Sequence, residues 1–250
     1  MKSSNTKKTV AIIKLKLKML MNNTAALTGP LMAVGMTVVM KFLYTSLADG
    51  DLEVMDSLMG MALNFGLAFN IGMGTIMMTA LPLAEDKEKY TLRALMTSSV
   101  NGKQFFIGSI IPPFVISVII NYVLVFISGV NIANVDFVIF SIVTITGTLI
   151  SCMIGLLIGI IAKSQVNANN IMTPFIMILS LIPTFATLNT SIAAFSDFLY
   201  TGITSNMINS FVVGEVFNLQ IQQIIILVVS VVLFTFLFMY FYKKNGLESD

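Results

Sequence analysis

The sequence predicts an all-α integral membrane protein with six transmembrane helices, and three observations carry that prediction. Hydrophobic residues make up 56% of the 250 positions and charged residues only 10%, whereas a soluble domain carries about 25% charge. The apolar residues gather into runs near the length of about 20 residues that a helix needs to cross the hydrocarbon core. Between those runs the basic residues fall on alternate connections and avoid the others, which is the charge signature of membrane topology.

Taken in order, residues 1–23 are expected to form a cytoplasmic, interfacial amphipathic helix. Val10, Ile13, Leu17 and Leu20 make a helical stripe with Lys7, Lys14 and Lys18 to one side, the pattern of a helix lying at the lipid surface. Lysines interrupt this stretch and no convincing small-residue cleavage site follows, so it does not read as a cleaved signal. A single transmembrane domain covers 24–242, with spans at about 24–46, 57–84, 104–128, 137–162, 171–188 and 221–242, and 243–250 form a cytoplasmic tail. Pro112 and Pro113 open the third span and Pro174 the fifth, while Pro183 is expected to break the fifth in its outer half. Residues 189–220 alternate apolar and small polar side chains, which fits a re-entrant or surface-lying helical pair with Glu215 near the outer boundary.

Lys2, Lys7, Lys8, Lys14, Lys16 and Lys18 precede the first span; Lys87, Lys89, Arg93 and Lys103 lie between the second and third; Lys163 follows the fourth, and Lys243 and Lys244 the sixth. The other connections hold Asp49, Asp51, Glu53, Asp56, Asp136, Asp197 and Glu215 with no basic residue. The positive-inside rule then places both termini in the cytoplasm. Lys41 is the exception, and its place near the outer end of the first span allows its ammonium to reach the interface.

Composition also narrows the chemistry. Histidine is absent and Cys152 is the single cysteine, which removes the commonest general base and the usual metal ligands. No catalytic residue, metal site or nucleic-acid-binding feature is expected, and no resident cofactor. Asn64, Asn70 and Asn121 are expensive in lipid and must face protein or a water-filled path. They are, with Glu215, weak candidates for a substrate pathway, although hydrogen bonds between helices are the more frequent use of such residues. Gly60, Gly66, Gly72 and Gly74, and Gly155 with Gly159, permit close helix packing.

Between the second and third spans, Glu85, Asp86, Lys87, Glu88 and Lys89 are followed, after Thr91, by Leu92 and Leu95 at helical spacing, the pattern of a short amphipathic helix on the cytoplasmic face. This segment resembles the cytoplasmic loop of ABC-2-type ATP-binding-cassette permeases. Glu88, Lys89, Thr91, Leu92, Leu95 and Val100 match its usual pattern, while Tyr90 stands where glycine is usual and Ser99 where proline is. The resemblance extends to the layout of an interfacial helix, six spans, a long last outer segment and a basic tail. It implies a six-span exporter subunit, of a drug, peptide or lantibiotic-immunity-like kind, in a bacterial plasma membrane. It further implies that 85–95 couples to a cassette ATPase present in two copies, and that the chain pairs with a second permease copy or paralogue. No Gly-x-x-x-x-Gly-Lys-Ser/Thr loop occurs here, so ATP and magnesium would reside on the partner subunit and the chain is expected to be no enzyme itself. The substrate is expected to be hydrophobic or amphipathic, drawn from membrane lipid. The competing classes are a secondary transporter or channel without an ATPase, and a non-transporting immunity or scaffold protein.

Overall fold

The computed structural model describes residues 2–48, 52–89 and 102–245, and every element among them is helical. Helix α1 (Lys2–Asn22) leads into α2 (Thr24–Leu47), the first span. The second span is α3 (Leu52–Phe69), a π-turn (Asn70–Gly74) and α4 (Thr75–Glu88) in one continuous rod. The third and fourth spans are α5 (Gly102–Ser128) and α6 (Phe137–Ile161). The fifth joins α7 (Gln165–Ile176), a second π-turn (Met177–Leu181) and α8 (Ile182–Phe185). Two shorter helices, α9 (Thr190–Ser196) and α10 (Tyr200–Val213), precede the sixth span, α11 (Ile221–Asn245). Among the described residues six helices are long and apolar enough to cross a membrane.

Local capping explains several of the boundaries. Asn23 separates α1 from α2 by accepting the Ala26 N–H at 2.9 Å. Asp136 accepts from Val138 and Ile139 to start α6, and Ser164 accepts from Asn167 to start α7, each side chain satisfying a donor that the first helical turn leaves free. The fifth span therefore begins several residues before the expected Ile171, because the Ser164 cap carries the polar stretch through Asn170 into the helix. Gly129 and Gly214 end α5 and α10 with φ of 90° and 74°, a left-handed backbone that glycine adopts without penalty. Near Gly129 the Lys41 Nζ lies 3.4 Å from where a Cβ on that glycine would stand. A cation there meets the negative end of the α5 dipole.

The second span is the axis of the molecule: 89% of its apolar window is buried, against 11% for the sixth. Its neighbours come close enough to need glycine. A Cβ on Gly155 of α6 would stand 2.7 Å from Thr79 Cβ and 2.9 Å from the Ile76 carbonyl. A Cβ on Gly72 would stand 2.8 Å from the backbone of Leu179, so the two π-turns touch each other. Such a turn fits one additional residue into the helix. The expected break at Pro183 takes this form: the bonding register shifts over Met177–Leu181 and α8 resumes with Pro183 in its first turn, where no N–H is needed.

The segment after the fifth span re-enters the bundle. Antiparallel to α3, α10 sets Val212 against Gly60, Ser205 beside Asn64, and Tyr200 near Gly147 and Ser151 of α6. Ser151 stands about 21 Å along α6 from its start at a rise of ~1.5 Å per residue, so α10 begins deep in the bundle. Its Ile203, Met207, Ile208 and Phe211 are buried. Glu215 follows it, exposed at the end of the bundle that also carries Asp136. That end is termed the acidic end here, and the opposite one, with Lys16, Lys87 and Lys163, the basic end.

Candidate functional site

The charged cluster singled out in the sequence lies on the last turn of the second span. Ala84 is the final apolar residue of α4, and the helix continues through Glu88 before Lys89 caps it. Residues 85–88, expected in a separate short helix, thus prolong the buried rod. Thr91, Leu92, Leu95 and Val100 lie outside the described residues.

Helical geometry sends consecutive side chains in different directions, about 100° apart, and each of these finds a different element. Glu85, half-buried, accepts from the Asn23 side-chain amide at 2.6 Å, and so holds the residue that caps α2. Asp86 is fully buried and pairs with Lys16 of α1, itself 4% exposed. The Lys87 ammonium donates to the Ile160 carbonyl at the end of α6, where a cation complements the helix dipole. Glu88 accepts the Gln165 N–H at 3.0 Å, at the positive start of α7. Exposed Lys89 turns back to Glu85 one turn earlier, a contact that raises its pKa above the ordinary lysine value. The end of the second span is therefore a clasp that grips α1, α2, α6 and α7 at once.

Lys16 and Asn23 are the clasp residues that the sequence did not single out. A signal existed: Ile12, Lys16, Leu20 and Asn23 share one face at i, i+4, i+8 and i+11, and all are buried. The visible alternation of lysine and leucine at 14–18 concealed it. Phe105 and Gly108 of α5 receive this face. A Cβ on Gly108 would fall 2.5 Å from Ile12 Cγ2, and Lys16 Nζ sits 4.5 Å from the centre of the Phe105 ring.

The asparagines are placed otherwise. Asn70, in the first π-turn, donates to Asn121 Oδ1 at 2.8 Å and to the Ser117 carbonyl at 3.0 Å. Asn121 donates in turn to Thr148 at 3.1 Å, and Thr75 bonds Ser117 at 2.7 Å. Spans two, three and four are joined by this network. Asn64 donates to Ser205 at 3.0 Å, and Ser205 donates to the Pro183 carbonyl at 3.1 Å, joining α3, α8 and α10. Asn70 and Asn121 are 0% exposed and Asn64 4%, so in this conformation they are buried between helices and tie them together. Glu215 stands far from them along α10, with only its N–H engaged, to the Ser210 carbonyl at 2.9 Å. Among the described residues no group of three or more Asp, Glu or Cys could hold a metal ion.

A family model described as ABC-2 type transporter matches residues 12–201. The chain belongs to the ABC-2 type transporter family. That match runs from Ile12, a buried contact of α1, to Thr201 at the start of α10, and so takes in the whole clasp and the first five spans. No curated protein matches the chain. As an ABC-2 member the chain is a multi-pass membrane permease subunit of an ABC transporter, a family that generally works with an ATPase subunit.

Proposed function

We propose that this permease is the membrane half of an exporter, moving a hydrophobic or amphipathic substrate such as a peptide, toxin or drug outward. Its energy comes from ATP hydrolysis, with magnesium, in two copies of a separate cassette ATPase, and the chain itself is no enzyme. It pairs with a second permease copy or paralogue in a bacterial plasma membrane. The clasp at the end of the second span carries this reading. Residues 85–89, the first part of the 85–100 segment that resembles the family's coupling loop, hold α1, α2, α6 and α7. A push on that stretch meets the most buried rod of the bundle, locked to its neighbours at the end where the push arrives. Displacement then passes to four elements together, because packed interfaces shift between discrete arrangements and do not deform smoothly.

The basic end faces the cytoplasm in this reading, which puts both termini and the clasp beside the motor. The connections at the acidic end are short or, at 189–220, folded back against the bundle, which favours substrates taken from the lipid. The test is copurification with a cassette ATPase. The wild-type permease is expected to retain it through a detergent wash, and the Leu92→Asp/Leu95→Asp variant is expected to insert normally and lose it. Equal retention by the variant would remove 85–95 as the docking stretch.

A further inference from the structure

We infer that the outward face of α1 is a binding site for negatively charged lipid headgroups, built from Lys7, Lys14 and Lys18. The three lysines lie at i, i+7 and i+11 and so form one strip along the helix, about 16 Å long at its ~1.5 Å rise. Beside it runs a second strip at the same spacing, Val10, Leu17 and Met21, exposed at 45%, 41% and 55%. The opposite face of α1 is the one buried on α5, so these two strips, with Ala11 and Leu15 on the other flank of the lysines, are presented away from the protein.

Charge identifies the occupant. No acidic residue occurs in α1, and Lys7, Lys14 and Lys18 have no side-chain partner among the described residues, whereas Lys16 on the inner face has Asp86. A topological signal requires only that cations be numerous on one side of the membrane, and it is indifferent to their direction around the helix. Here the unpartnered ones are aligned on a single face, with an apolar strip next to them. That combination matches a phosphate-bearing headgroup above acyl chains better than it matches an acidic soluble protein, which has no apolar layer to offer the second strip. Continuity with the lipid-facing side of the bundle supports the same occupant: α1 joins α2 through Asn23 alone, and Leu31 and Met32 of α2 are exposed at 67% and 45%. Because the other side of this helix holds Asp86 in the clasp, lipid charge acquires a direct mechanical link to the end of the second span.

The chain contains no tryptophan, so a Val10→Trp variant reports on this face alone. The purified variant is reconstituted in vesicles of equal phosphatidylglycerol and phosphatidylcholine, with brominated chains on one lipid or the other. Brominated phosphatidylglycerol is expected to quench at least about twofold more strongly at low salt, and the preference should vanish in 0.5 M NaCl as screening sets in. The Lys7→Gln/Lys14→Gln/Lys18→Gln variant in the same background should also show none. A Leu47→Trp reporter at the acidic end should show no preference in any condition. Equal quenching at Val10→Trp by both lipids would overturn the site, as would a preference that survives the triple substitution or appears equally at Leu47→Trp. Quenching by neither lipid would show the face covered by protein and would overturn it equally.

Discussion

The second span is fastened at its basic end by charges and in its middle by neutral amides and hydroxyls. At the clasp, Asp86 meets Lys16, Lys87 meets a helix C-terminus and Glu88 a helix N-terminus. One π-turn and more away, Asn70, Asn121, Ser117, Thr75 and Thr148 do the same joining without a formal charge. Depth explains the difference. At mid-bilayer an ionised group costs several kcal/mol unless it reaches water or a partner, whereas a neutral amide that hydrogen-bonds across a helix contact carries no charge to desolvate. The charged fastening is consequently the more fragile one: losing one member strands the other, while a neutral member leaves behind only an unfilled bond.

Removing one partner of the buried ion pair should break the comparison most visibly. Asp86→Ala leaves Lys16 charged among apolar groups, and the expected loss is about 3–5 kcal/mol, read as a lower unfolding midpoint of the purified permease. Replacing both partners, as Lys16→Met/Asp86→Leu, should restore most of it. If Asp86→Ala unfolded with the wild type, the ionic fastening would be no stronger than the neutral one and the contrast would disappear. Asn70→Leu removes two donated bonds from the mid-depth network and should cost about 1 kcal/mol, the usual size of such bonds within membranes. A cost equal to that of Asp86→Ala would show the network to be cooperative. Lys89→Ala sharpens the comparison from the other side. Its pair with Glu85 is exposed, 64% on the lysine side chain, and solvent screening should leave the unfolding midpoint unchanged within error.

How much of this could be seen in the chain follows the same division. Apolar run length and the placement of cations made the spans legible, since both are set by the bilayer and need no knowledge of packing. The second span proved longer than its apolar run because the charged residues at 85–88 find partners on neighbouring helices, and a partner across the bundle has no trace in local sequence. The helical state of Gln165 to Asn170 is not legible for a related reason: polar side chains at a membrane boundary suit a helix as well as a loop once a cap such as Ser164 starts it. The three asparagines were legible as costly groups that needed company. Which neighbours they would meet depended on which spans adjoin, and those neighbours include Asn121, Thr148 and Ser205.

The π-turn at Asn70–Gly74 sets the compass bearing of everything beyond it. Each residue advances a helix by about 100°, so deleting a single residue from that turn would swing the whole remainder of the rod round by that angle and draw it about 1.5 Å back. Asp86 would then point away from Lys16, and Lys87 and Glu88 would miss the ends of α6 and α7. A length change of one residue at the core of the bundle would thus disarm a grip more than a dozen positions downstream, with every gripping residue still present.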